Sequence, residues 1–207
     1  MKFFVIGGTI IFFGFAILFI SVLRTAAVKY EKVSSPDSSK SISYSNLQID
    51  YDLAYPGKVL PGSLFWILKA ARDKFWLFVT TNDSRRAELL LLFADKRIGS
   101  SLLLMESSDV ENSISTATKA EKYLEEALNQ NQKNRARGIK TSEFDKRLAM
   151  AALKHYEILL ELESSYPDQL RPVISNTKKY PMRVYEQSRN NLLEDGLTPP
   201  ENPFNWQ

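Results

Sequence analysis

The hydrophobic pattern changes rhythm three times along the chain. Residues 3–23 form an uncharged run between Lys2 and Arg24, fifteen of them Phe, Ile, Leu or Val. As a helix rising ~1.5 Å per residue the run reaches ~31 Å, which matches a hydrocarbon core of ~30 Å. A core helix of this length is rarely apolar on every face, so a transmembrane anchor is expected at residues 1–24. Between 33 and 45 the apolar signal disappears, and seven of thirteen residues are Ser, broken by Pro36, Asp37 and Lys40. That composition predicts a flexible stalk over residues 25–45. Residues 44–55 alternate in a strand-like way (Leu47, Ile49, Tyr51, Leu53), but no partner strand is evident. An extended arm packed on a domain is the reading.

From there the rhythm becomes helical. Leu64, Ile67, Leu68, Ala71, Phe75 and Phe78 recur at steps of three and four, predicting a helix over 63–79 with these residues facing the core. Asn82-Asp83 breaks it, and Asp83 is placed to cap a second helix over 84–105. Apolar residues of that helix bunch at 89–94, which makes it the expected centre of the core. Ser108-x-x-Glu111 reads as a capping box opening a third helix with the stripe Val110, Ile114, Ala117, Leu124 and Leu128. Gly138 ends it as a C′ glycine would. Thr141 or Ser142 starts a fourth, with Phe144, Leu148, Ala151, His155, Leu159 and Leu162 on one stripe, and Tyr166-Pro167 ends it. Asp168 could cap a fifth stretch, in which Pro172 and Pro181 predict a break near Tyr180. Residues 197–207, with Pro199, Pro200 and Pro203, are expected to fray. The fold class is therefore all-α: an N-terminal transmembrane helix, a Ser-rich stalk, then a bundle of about four to five antiparallel helices over 46–196.

A cleaved signal peptide is the competing reading of the first segment, since Thr25-Ala26-Ala27 resembles a small-residue cleavage site. The apolar run is longer than signal h-regions usually are, and Arg24 crowds the site, so an uncleaved single-pass anchor is expected. Arg24, Lys29 and Lys32 after the span outnumber Lys2 before it, which favours a cytoplasmic carboxyl domain. A lone span at the amino end, however, often exports the domain behind it, and the absence of Cys fits an exported domain without disulfides. Export is the orientation adopted. No G-x-x-x-G occurs in the span, so nothing there specifies helix pairing in the membrane.

Without Lys2 and Arg24 the remainder carries 25 basic and 24 acidic residues, nearly neutral and large enough for one helical domain or two small ones. No basic stripe with interleaved aromatics and no nucleic-acid module is present, so no nucleic-acid partner is expected. Lys119, Lys122, Arg135 and Arg137 fall on faces that the helical pattern leaves exposed.

Candidate chemistry is sparse. His155 is the only histidine and lies on an apolar stripe, where a hydrogen-bonded core histidine is expected rather than a catalytic base. One His and no Cys exclude the usual structural zinc sites, and Ala152 stands where a Glu-x-x-His di-iron pattern needs glutamate. There is no G-x-S-x-G elbow and no phosphate-binding loop. Glu125-Glu126, and Glu161 with Glu163, lie on polar helix faces and read as solvated carboxylates. Asn82-Asp83-Ser84 matches the glycosylation sequon, but its value here is as a helix start. No catalytic residue, cofactor or metal is implied.

The segment YPGKVLPGSLFWILKAARDKFWLFVTTNDSRRAELLLLFADKRI resembles the start of a bacterial family known only as a domain of unknown function. The residues that carry the resemblance are Tyr55-Pro56-Gly57, Leu60-Pro61, Leu68-Lys69, Asp73, Arg86-Ala87-Glu88-Leu89 and Ala94-Asp95-Lys96-Arg97. The likeness is clear over about residues 55–98 and only one of style beyond. Ser84 stands where a proline often opens the second helix, and Phe65-Trp66 where a Leu-Tyr pair is usual. The resemblance implies a membrane-tethered helical domain and no catalytic residue.

An aromatic group, Tyr51, Tyr55, Phe65, Trp66, Phe75, Trp76 and Phe78, remains to be placed. Packing of the arm on the first helices accounts for most of it. Tyr55, Trp66 and Trp76, off the main stripe, are the candidate partner-binding residues, because such rings carry large contact area. The functional expectation is a non-enzymatic, membrane-tethered domain for protein–protein interaction or envelope organisation. Its partners would be the bilayer, through residues 3–23, and an unidentified protein. The alternative is a ligand-binding sensor or regulatory domain acting through a membrane partner.

Overall fold

The computed structural model describes residues 49–204 and 206. The chain divides after Ser45, and the described residues belong to the unit Asn46–Gln207. The expected anchor at 1–24 and stalk at 25–45 lie outside the described residues. Every regular element among the described residues is helical: α1 (Trp66–Val79), α2 (Asp83–Glu106), α3 (Val110–Ala136), α4 (Ser142–Ser165), α5 (Arg171–Thr177) and α6 (Lys179–Glu194). Only Lys178 separates α5 from α6, so the two make one broken helix and the bundle counts five. The arm enters at Ile49 without regular secondary structure.

Helix ends follow local chemistry, with two corrections. α2 is capped by Asn82, not Asp83: the Asn82 backbone is extended and its side chain accepts from the Arg85 amide at 2.9 Å. Asp83 lies inside the first turn, where its carboxylate faces the positive end of the helix and pairs with Arg137. The expected Ser108–Glu111 box does not form either. α2 closes in a Schellman arrangement, with Asp109 N–H donating to the Leu104 carbonyl at 2.8 Å and Ser108 N–H to Met105 at 2.9 Å. This requires a left-handed residue at Ser108 (φ 63°), which takes its side chain away from α3, and Asp109 caps α3 instead. Gly138 and Gly196 supply the same left-handed step after α3 and α6.

The prolines of the last stretch start helices and do not interrupt one. Pro172 and Pro181 each sit in a first turn, of α5 and α6, where a missing amide costs nothing. The break falls at Lys178, near Tyr180 as expected. Asp168 does not cap α5, whose N-cap is Leu170; its carboxylate pairs with Arg171 on the surface.

α2 and α3, joined by a three-residue turn, make the most extensive helix pair, and α4 with α6 makes the second. Contacts of α3 with α6 and of α2 with α4 join the two hairpins. α2 is central as expected, with Leu89, Leu90, Leu91, Phe93 and Ala94 buried, but α4 shares that place through Leu148, Leu153, Ile158, Leu159 and Leu162. Alanines at 117, 120 and 127 on α3 and at 149, 151 and 152 on α4 are fully buried, which lets backbones approach closely. Asp145 Oδ1 ties three helices by accepting from the side-chain amides of Asn131 and Asn191, both at 2.8 Å.

The tail is not frayed. Tyr185 donates to the Pro200 carbonyl at 2.7 Å, and the rings of Phe204 and Trp206 stack at 5.0 Å and close on Tyr156 of α4. Aromatic surface offsets the loss of backbone entropy that three prolines had already reduced.

Candidate functional site

α1 is held to the body by a small number of strong contacts. Gly57 and Gly62, both at positive φ, turn the chain into it, and Pro56 packs against the Cα of Gly99 on α2. Lys69 reaches back to donate to the carbonyls of Pro56 (2.7 Å) and Val59 (3.0 Å), which fixes the approach segment against the helix. At the other end Arg86 donates to the Leu77 carbonyl at 2.6 Å, and the Thr80 hydroxyl to Trp76 at 2.8 Å. The first satisfies a carbonyl that the last helical turn leaves open, and the second adds to the Thr80 backbone amide on Trp76.

The inward side of α1 is Asp73, Trp76 and Leu77. Trp76 meets Phe93 edge-on at 6.1 Å. Asp73 is buried but bound by the Arg72 guanidinium at 2.7 Å. Burial lowers the affinity of Lys69 and of Lys96 for their protons, and the nearby Asp73 charge offsets only part of it. Arg97 of α2 completes this wall, its guanidinium 4.3 Å from the Tyr123 ring centroid and 5.8 Å from that of Trp66.

The outward side is the surprise. The stripe that periodicity assigned to the core faces solvent: Leu64 is 84% exposed, Ile67 73%, Leu68 66%, Phe75 39% and Phe78 82%, with Phe65 at 64% beside them. Ala71 is exposed as well. Seven of the twelve strongly exposed large apolar residues among those described lie between 64 and 79, so this is a patch and not scatter. The physical reason is that α1 has two apolar sides. Only one side can face α2, and the side that carries Trp76, edge-on to Phe93, and the buried Leu77 does so.

Of the three residues singled out from the sequence, Tyr55 is exposed, Trp66 is half-buried under Arg97 and Lys69, and Trp76 lies in the core. The structure thus does not bring them together as one surface. The surface that exists is made of residues read as core. Its signal was present in the apolar residues left over outside the stripe, because a helix that needs one buried face does not need Trp76-Leu77 as well.

A second constellation lies inside the bundle. His155 of α4 is fully buried, its Nδ1 2.8 Å from Glu121 Oε1 of α3 and its Nε2 3.2 Å from Asp95 Oδ1 of α2. Asp95 Oδ2 accepts from the Tyr51 hydroxyl of the arm at 2.9 Å. Burial alone would lower the His155 pKa, but the Glu121 charge and the bonds to Asp95 and Glu121 outweigh it and hold it at about 9. Burial likewise raises Glu121. The charge and hydrogen bond of His155 offset part of that rise. Next to this centre, Lys154 donates to the Ile49 carbonyl at 2.9 Å and Glu157 accepts from the Ile49 amide at 3.4 Å. The constellation fastens the arm to three helices and is closed to any substrate.

Among the described residues no group of three or more His, Asp and Glu side chains is arranged to hold a metal ion. Two grooves, about 720 Å³ beside Lys122, Tyr180 and Arg183 and about 530 Å³ between the arm and the tail, open to solvent. No described helix is long and apolar enough to cross a membrane.

Residues 58–169 match the family described as Domain of unknown function (DUF5667), and the chain belongs to that family. The match runs from the approach to α1 through the end of α4, so the likeness over residues 55–98 extends into the later helices. No curated protein and no solved structure gives a significant match.

Proposed function

We propose that this member of the unknown-function family is a non-enzymatic, membrane-tethered domain that acts by docking through α1, in protein–protein interaction or envelope organisation. The observation that carries the reading is the continuous apolar face of α1, exposed on a body whose other large apolar side chains are mostly packed. An uncompensated patch of this kind marks an interaction surface. The uncharged run at 3–23 supplies the tether, and the domain lies outside the cytoplasm.

Two measurements test it. The full chain, carrying photoactivatable benzoylphenylalanine at Phe78 or Leu64, is expressed in bacterial cells and irradiated. Adducts are expected at both positions and not at Glu186 on α6; no adduct at either Phe78 or Leu64 counts against docking. Fusing alkaline phosphatase and green fluorescent protein, separately, to the carboxyl end tests the orientation, with phosphatase activity alone expected. Fluorescence alone would reverse it.

A further inference from the structure

We infer that the surface α1 docks on is the lipid bilayer itself, α1 lying as an interfacial helix with its apolar face among the acyl chains. This rests on the docking reading above and names its partner. Three observations lead to it.

The first is the chemistry of the face. Leu64, Phe65, Ile67, Leu68, Ala71, Phe75 and Phe78 offer rings and aliphatic carbons, with no hydroxyl, amide or carboxylate among them. Protein interfaces carry about one hydrogen bond per 100–200 Å². A face with no side chain able to make one suits hydrocarbon.

The second is charge. On the helical wheel Arg72 and Lys74 flank the apolar arc, one on each edge, with Lys58 exposed just before the helix. Residues 55–81 hold four basic residues and one acid, Asp73, which is buried against Arg72. Their balance of +3 equals the formal charge of the whole chain, so the remainder is neutral; Lys58 and Lys74 are exposed beside this face, while Lys69 is taken by the Pro56 and Val59 carbonyls and Arg72 by Asp73. Basic edges beside an apolar stripe match anionic headgroups above acyl chains, with the apolar face sinking ~5–10 Å. In a symmetric contact between two copies the same edges would face each other and repel.

The third is reach. Twenty-five residues separate Leu23 from Ile49, and fully extended they cover at most ~90 Å. A span at 3–23 would therefore tether Ile49 within ~90 Å of a bilayer, where even modest affinity suffices. Trp76 and Leu77 hold the opposite side of α1 on α2, so the helix can meet lipid without leaving the body.

The chain has no Cys, which makes single labels clean. The full chain with Leu64→Cys, Ile67→Cys, Phe78→Cys or, as control, Glu186→Cys is labelled with NBD. It is then reconstituted in vesicles of phosphatidylcholine with phosphatidylglycerol. These four positions are exposed, so the core is untouched. Labels on α1 are expected to shift to the blue, to be quenched by lipid-borne nitroxide, and to be several-fold less sensitive to iodide than the control. Lys58→Glu with Lys74→Glu is expected to reduce the nitroxide quenching. Iodide sensitivity on α1 equal to the control overturns the lipid assignment. Shelter from iodide without nitroxide quenching means protein against protein; it too overturns the lipid assignment but leaves docking standing. A chain that stays in the aqueous fraction overturns the lipid assignment and the tether together.

Discussion

Glu121→Gln replaces one oxygen of the buried Glu121–His155 pair with an amide nitrogen and leaves the shape of the core almost unchanged. In the native chain His155 binds its proton up to about pH 9, against 6.5 for an ordinary histidine. A pKa raised by folding contributes stability that is fully present below pH 6.5 and is lost as the pH rises through about 9. Across that interval, at about 1.4 kcal/mol per pH unit, the loss is about 3–4 kcal/mol. In Glu121→Gln the charge that does most to hold the imidazole proton is gone, and only the Asp95 carboxylate is left to oppose the burial that favours the neutral ring. The variant should be less stable than the native chain at pH 6 and should show a much flatter decline towards pH 9. Urea unfolding of residues 46–207 at half-unit pH steps measures both curves, and their difference removes every titration the two chains share. Parallel curves from pH 6.5 to 9 would refute the reasoning, since His155 could not then be drawing its proton affinity from Glu121.

Three other expectations concern the packing. Ser108→Gly should stabilise the chain by about 0.5–1 kcal/mol, because the left-handed φ of 63° strains serine and not glycine; a thermal midpoint at or below the native one would exclude it. Trp76→Ala should cost about 3–5 kcal/mol and release α1 first, seen as faster hydrogen exchange over 66–79 than in α2. Phe204→Ser with Trp206→Ser should undock the tail at a cost of about 1–3 kcal/mol and make Tyr156 more accessible to acetylation. An unchanged urea midpoint would mean that the docked tail contributes nothing.

The bundle was legible from the chain because helix period, caps and breakers are short-range properties. α2, α3 and α4 begin and end within a few residues of where Asn82-Asp83, Gly138 and Tyr166-Pro167 put them, and the stripe of α4 from Phe144 to Leu162 is buried throughout. His155 could be assigned to the core for the same reason. Its partners could not, since Asp95 and Glu121 are 60 and 34 residues away and meet it only once three helices pack. The docked tail depended on Tyr156 and Tyr185 forming a surface that no local pattern records. The side of α1 that faces inward was the largest such decision. Periodicity reports that a helix has an apolar stripe, but it does not rank two stripes against each other. That ranking depends on what the neighbouring helix offers, and here Phe93 and Arg97 of α2 take Trp76, Leu77 and Trp66 and leave the Leu, Ile and Phe stripe outside.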